Sequence, residues 1–184
     1  MSTIQAWKWE MLHAHRDMHE AIPCPRDIWG GMLAYNGCLF VFGGAFLKYG
    51  PAKTHGDLTT LGTLNDLWRY DPAAATWTQL EEDDGSSGFS PSADRPCGRV
   101  LPAWVAVKDR FYLFGGLSVL GAGWRTRLLN DLWSYDPLRG RWELLEPHDG
   151  RALETPASVE TSRPTMLAAM GVACVGTGIY LMAG

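Results

Sequence analysis

Cysteine is scarce in this chain, positive charge is outnumbered, and the signatures of several common catalytic machines are missing. The 184 residues hold 4 cysteines (Cys24, Cys38, Cys97, Cys174) with no C-x-x-C pair and no dense framework. Such scatter fits free thiols in a reducing compartment rather than disulfides or a structural zinc. Lys and Arg number 16 against 20 Asp and Glu, a net charge of −4. That balance argues against a nucleic-acid partner, which needs a basic stripe to neutralise phosphates. Met1–Lys8 lacks a basic start followed by an apolar run, so no secretory signal is visible. None of the asparagines, Asn36, Asn65 and Asn130, opens an N-x-S/T acceptor. A cytoplasmic location is the expectation. No nucleophile elbow, P-loop or dinucleotide fingerprint is present.

Charge is absent altogether from Thr165 to Gly184, a run long enough on paper to span a bilayer. Two buried strands, Leu167–Val175 and Ile179–Met182, joined by Gly176-Thr177-Gly178, are the expected reading. A helix here would carry Gly171, Gly176 and Gly178 at a cost in propensity. No membrane association is expected.

What the chain does have is unusual: 9 Trp and 21 Gly. Helices have little use for so much glycine, so the pairing points to many turns between large packed side chains. The sequence also repeats. Asn65-Asp66-Leu67-Trp68-Arg69-Tyr70-Asp71-Pro72 recurs as Asn130-Asp131-Leu132-Trp133-Ser134-Tyr135-Asp136-Pro137, a shift of 130 − 65 = 65 residues. Leu39–Gly44 matches Phe111–Gly116, and Ile179–Gly184 is a weaker third copy. Trp77-Thr78-Gln79-Leu80 matches Trp142-Glu143-Leu144-Leu145, and Trp9-Glu10-Met11-Leu12 precedes both.

Each piece reads as a strand, here a to d. Strand a (Gly31–Tyr35, Ala103–Val107, Gly171–Val175) is apolar but rich in small residues, as where sheets converge on an axis. Strand b is apolar on both faces and belongs between two other sheets. Asn36-Gly37 is the strongest hairpin signal, since a type I′ turn needs φ > 0 twice. Lys108-Asp109 and Gly176-Thr177-Gly178 occupy the matching places. The paired glycines after b permit positive φ and close backbone approach where the chain is expected to leave the sheet. Along c, Trp68 and Tyr70 share one face, with Leu67 and Arg69 on the other. Asp71-Pro72 starts a tight turn into d. One repeat is thus a four-stranded antiparallel meander of about 65 residues.

The Gly-Gly after b, the Tyr of Y-D-P and the Trp that opens d (Gly43-Gly44, Tyr70, Trp77; Gly115-Gly116, Tyr135, Trp142) resemble the kelch family of β-propellers. The resemblance runs from Trp9 to Gly184, with Ala183-Gly184 replacing Gly-Gly in the third unit. It implies an all-β fold: a partial kelch-type β-propeller with two complete four-stranded antiparallel blades, a lone N-terminal strand and a half blade. The expected map is 1–12 for an outer strand d of a closing blade and 26–80 for the first complete blade. Residues 95–145 form the second, and 163–184 the first half of a third. Propellers use 4–8 blades, so the chain is expected to be the N-terminal portion of a longer ring. Left open, its blade edges would promote self-association.

In such a blade the b–c and d–a connections emerge at one end and the tight a–b and c–d turns at the other. The long connections, Ala45–Leu64, Leu117–Leu129 and the d–a segments, are read as loops, and loops on a rigid scaffold carry binding residues. The expected binding set is Phe46, Lys48, Tyr49 and His55 in one loop and Trp124, Arg125 and Arg127 in the next. The d–a segments add Arg26, Arg95, Arg99 and Arg163. An exposed Trp beside two arginines suits a protein hot spot, against the competing reading that Trp124 covers its own blade and the arginines bridge loops; the expected partner is another protein. His13, His15, Asp17, His19 and Glu20 read as a solvated loop rather than a metal site. Glu81-Glu82-Asp83-Asp84 lacks the alternating ligand spacing of a calcium loop. No catalytic residue, metal or cofactor is expected. The first functional reading is therefore a kelch-type interaction scaffold. The alternative is a fragment of a kelch-propeller enzyme acting on a small molecule, similar to galactose oxidase, plant specifier proteins or sialate epimerases. The E-x-x-x-D-x-x-x-H iron pattern of specifiers is absent from the sequence.

Overall fold

The computed structural model describes residues 22–24, 26, 31–49, 58–120, 125–150 and 171–182. Strand β1 (Gly31–Tyr35) turns through Asn36-Gly37 into β2 (Cys38–Tyr49), with φ of 47° and 76° at the two turn residues. Both are left-handed, as a type I′ turn requires. β2 pairs antiparallel with β3 (Leu58–Asp71), and β3 with β4 (Thr76–Glu81). The second meander follows the same plan in β5 (Ala103–Val107), β6 (Arg110–Leu120), β7 (Arg125–Asp136) and β8 (Arg141–Glu146). A hairpin of β9 (Gly171–Val175) and β10 (Gly178–Met182) starts a third unit. The charge-free run thus holds two strands, but the expectation that they are buried is corrected: Val175, Tyr180 and Met182 are exposed. Among the described residues no helix is long and apolar enough to cross a membrane. The expected residues 1–12 lie outside the described set.

The c–d turns use their aspartates as hydrogen-bond acceptors. Asp71 Oδ1 accepts from the N–H of Ala73 (2.9 Å) and Ala74 (3.3 Å). Asp136 Oδ1 does the same for Leu138 (3.0 Å) and Arg139 (3.1 Å). Each is a side chain standing in for backbone in a tight turn.

One expectation about the strands needs correction. The paired glycines do not end strand b. They shift its register by one residue, between Phe42 and Gly44 and again between Phe114 and Gly116, and the strand runs on. The stretches 45–64 and 117–129 are therefore mostly β arms, not loops. A bulge of this kind accommodates left-handed glycine, and φ is 67° at Gly43 and 62° at Gly115. The close approach is real. A Cβ on Gly43 would lie 2.7 Å from the Arg99 carbonyl oxygen, and the Gly44 N–H donates to that same oxygen at 3.0 Å.

The two meanders join in two places. At the arm end Gly62 pairs with Leu120, and Thr63 Oγ1 lies 3.4 Å from Ser118 Oγ. At their centre an aromatic seam runs between the faces. Phe40 packs edge-on to Phe111 (4.8 Å between centroids), Phe42 meets Trp142 (5.3 Å), and Tyr35 meets Phe111 (5.1 Å). Phe42, Leu67, Phe111 and Leu113 are fully buried, each contributing about 1.5–3 kcal/mol by burial. Gly31 is bare because Trp104 lies against it: a Cβ there would stand 2.9 Å from the Trp104 Cβ. The seam makes one core from two blades.

Candidate interaction face

The arm-bearing end is built around two copies of one charged tie. Pro23-Cys24-Pro25-Arg26 and Pro96-Cys97-Gly98-Arg99 share a P-C-x-R pattern ahead of strand a. Arg26 Nη1 donates to the Gly43 carbonyl and Asp66 Oδ1, both at 2.7 Å, and Nη2 to Asp66 Oδ2 at 2.6 Å. Arg99 repeats this on the Gly115 carbonyl (3.0 Å) and on Asp131 (2.7 and 2.8 Å). Each Nε returns to the cysteine carbonyl two residues earlier. The Trp of N-D-L-W completes the unit: Trp68 and Trp133 each donate their indole N–H to the aspartate at 2.7 Å.

Electrostatics sharpen the second copy. Burial alone would lower the Arg99 guanidinium, but Asp131 outweighs it and holds the group above its ordinary value. Burial likewise pushes Asp131 up, and Arg99 more than reverses this, leaving the carboxyl below the usual range. Burial also raises the neighbouring Cys97 thiol. The assignment of Arg99 to a binding surface is therefore corrected. It is wholly buried, its donors are consumed internally, and it stitches d–a segment to strands b and c. Arg26 plays the same part, with side-chain exposure of 11%.

Arg95 also serves its own fold. Its Nη2 donates to Asn65 Oδ1 at 2.8 Å and to the Glu82 carbonyl. Its Nε stands 3.3 Å from Asp84 Oδ2 and its Nη1 3.5 Å from Glu81 Oε2. The acidic run is thus partly employed within the fold. Asp83 Oδ1 accepts the Asn65 N–H at 2.9 Å, and Asp84 Oδ1 accepts Asn65 Nδ2 at 2.8 Å. Glu81 reaches across the seam to accept the Trp142 indole N–H at 2.9 Å. Burial raises the Glu81 carboxyl, with Trp142 and Arg95 only partly offsetting it.

Two arginines are left facing outward. Arg125 and Arg127 lie on β7 and are exposed. Among the described residues neither pairs with a carboxylate; both instead stand over the Phe89 ring, their Cζ atoms 4.6 and 5.1 Å from its centroid. Phe89 is held there by a tight turn. Ser87 and Ser90 exchange backbone hydrogen bonds of 3.0 and 2.9 Å, and the Gly88 N–H donates to Ser118 Oγ at 2.8 Å. Arg127 Nη1 donates to the Gly88 carbonyl at 2.6 Å. Gly88 must be glycine-sized, since a Cβ would sit 2.9 Å from the Ser118 Cβ. The result is a preorganised patch of one aromatic ring and two guanidinium groups that no carboxylate of the described residues neutralises.

Of the other expected residues, Phe46 is half-buried on β2, its ring covering Gly62. Lys48 and Tyr49 belong to the β2 backbone, and their side chains lie outside the described set. His55, Trp124 and Arg163 fall outside the described residues, as does the 13–20 histidine segment. Phe89, Gly88 and Ser118 were not among the expected site residues. The opposite end carries only short turns. A shallow depression of about 460 Å³ there is lined by Arg110, Asp136, Arg139, Arg141, Trp142 and Glu143. Its charges are largely matched, Arg110 with Glu143 at 2.8 Å and Arg139 with Asp136 at 2.7 Å. Among the described residues no group of three or more His, Cys, Asp or Glu could hold a metal ion.

Comparison with known proteins agrees with this architecture. The family profile "KLHDC2/KLHL20/DRC7 Kelch-repeats domain" matches residues 1–184. The chain is 31% identical over 102 residues to an N-acetylneuraminate epimerase of Yersinia enterocolitica, covering 54% of this chain and 26% of that protein. It is 31% identical over 84 residues to human Kelch domain-containing protein 3, covering 46% and 17%. The chain therefore spans about a quarter or less of the length of these relatives. Among solved structures, that of YjhT superposes with a TM-score of 0.53 at 16% identity, over 85% of this chain and 44% of that one. At that identity the likeness concerns the fold.

Proposed function

Because the chain belongs to the kelch-repeat family, we propose that it is a protein-interaction module whose partner meets the arm-bearing end of the sheets. One observation carries the reading: Arg125 and Arg127 are the arginines at that end left without a carboxylate among the described residues, and they are fixed over Phe89. Arg26, Arg95 and Arg99 are spent on internal ties. An exposed arginine beside an aromatic ring, which a partner would desolvate, is the composition of a hot spot. Two uncompensated positive charges call for an acidic partner segment, which bidentate guanidinium contacts would read.

The test is capture by tagged chain from a homologous extract, comparing wild type, Arg125→Ala/Arg127→Ala, and Arg139→Ala/Arg141→Ala at the opposite end. The first double variant should lose its specific partner at least about tenfold, the worth of one good charged contact; the second should retain it. Equal capture by all three would remove the arm end from consideration.

A second reading, part of an enzyme acting on a small molecule, is supported by the match to the N-acetylneuraminate epimerase. Incubating the chain with N-acetylneuraminate and following its anomeric signals by NMR separates the two: accelerated interconversion would favour the enzyme.

A further inference from the structure

We propose that Ser90 is a phosphorylation site, modified by a proline-directed serine/threonine kinase, and that Arg125 and Arg127 hold its phosphate. Ser90 is exposed and is followed by Pro91, also exposed. A residue before proline is pushed toward extended backbone, the form in which a kinase threads its substrate. The serine sits on a turn that is already fixed: backbone bonds link Ser87 and Ser90, Gly88 is tied to Ser118, and Arg127 is tied to Gly88. It follows directly on Phe89, over whose ring the two guanidinium groups stand at 4.6 and 5.1 Å.

The electrostatics favour the product. A phosphoserine carries a charge of about −1.5 to −2 and three strong acceptor oxygens. Three of the four acidic side chains at 81–84 are engaged elsewhere, Asp83 and Asp84 with Asn65 and Glu81 with Trp142 and Arg95, while Glu82 is exposed. Asp94, four residues on, remains exposed. In the transfer, Ser90 Oγ bonds to the γ-phosphorus of ATP, the bond from that phosphorus to the bridging oxygen of ADP breaks, and the hydroxyl proton leaves to the kinase base. The phosphate then becomes the anionic partner of both arginines, beside the bond from Arg127 to the Gly88 carbonyl. The proposal concerns the same patch as the interaction reading but stands without it.

The sequence has one other Ser/Thr-Pro pair, Thr155-Pro156, so the experiment uses the full chain carrying Thr155→Ala. It is incubated with Mg-ATP and a recombinant proline-directed kinase, mapped by fragment mass spectrometry, and titrated by phosphorus NMR. One phosphate should appear on Ser90, with the rate falling at least about tenfold in Pro91→Ala. Its second ionisation should lie below the ordinary value of about 6, and return toward it in Arg125→Ala/Arg127→Ala. An unmodified Ser90 in the folded chain would overturn the site. A titration indifferent to the two arginines would overturn the clamp. Either failure leaves partner capture by the unmodified chain as a separate question.

Discussion

A guanidinium withdrawn from water stays charged only if a carboxylate and enough carbonyls surround it, and Arg99 has both. Removing one partner leaves a bare buried charge. Asp131→Asn should therefore lower unfolding free energy in urea by about 3–5 kcal/mol. Asp66→Asn should cost less, because Arg26 keeps some contact with solvent. The pH dependence follows from the sign of the shift. Asp131 titrates below its ordinary 3.8 in the folded chain, so its stabilisation is complete above that value and is lost as pH falls through the folded one. The gap between wild type and Asp131→Asn should accordingly close in acid. Glu81 behaves oppositely. Its carboxyl is raised above 4.5 by burial, so ionisation weakens the fold as pH climbs from that value. Glu81→Gln keeps an acceptor for Trp142 and cannot ionise. Its stability relative to wild type should improve as pH rises above 4.5, as read by urea midpoints at each pH.

At the scale of strands, the repeats disclosed the hairpins, the order of elements and the faces of strand c. Asn36-Gly37 announced its turn because few residue pairs tolerate two positive φ values, and Trp68 and Tyr70 are both buried on one face. The arms were harder to read. Gly43-Gly44 and Gly115-Gly116 look like exits from a sheet, yet the structure uses them as bulges that let β2 and β6 continue. The arginine ties were also hidden. Arg26 lies 40 residues from Asp66, and Arg99 lies 32 from Asp131, so no fixed spacing links donor to acceptor. The signal that could have found them is the repeated P-C-x-R. Phe89 gave no signal at all, being a single aromatic in a serine-rich segment. The bulge account predicts unequal glycine substitutions. Gly43→Ala puts a methyl against the Arg99 carbonyl and should cost more than the roughly 1 kcal/mol of a left-handed glycine alone. Gly37→Ala, with nothing within 4 Å, should cost only about that. Thermal midpoints of the two variants provide the check.

For the molecule as a whole, the aromatic seam gives two meanders one shared core, while the long arms and the 82–102 segment gather at one end. Charge is arranged accordingly. Inside, arginine and aspartate tie each d–a segment to strands b and c of its own repeat; at the tip, Arg125 and Arg127 face outward over Phe89. Trp142→Ala should show how far the blades depend on each other. It removes the contacts to Phe42 and Glu81 together, costing about 3–5 kcal/mol. Both meanders should then unfold in one broadened transition of lower midpoint, followed by tryptophan fluorescence and backbone circular dichroism.

Amide hydrogen exchange on the chain, alone and with its captured partner, tests the interaction reading most directly. Slowed exchange is predicted at 86–90 and along 117–120 and 125–128, with the c–d turns at 72–75 and 137–140 unchanged. Protection confined to those turns would contradict it.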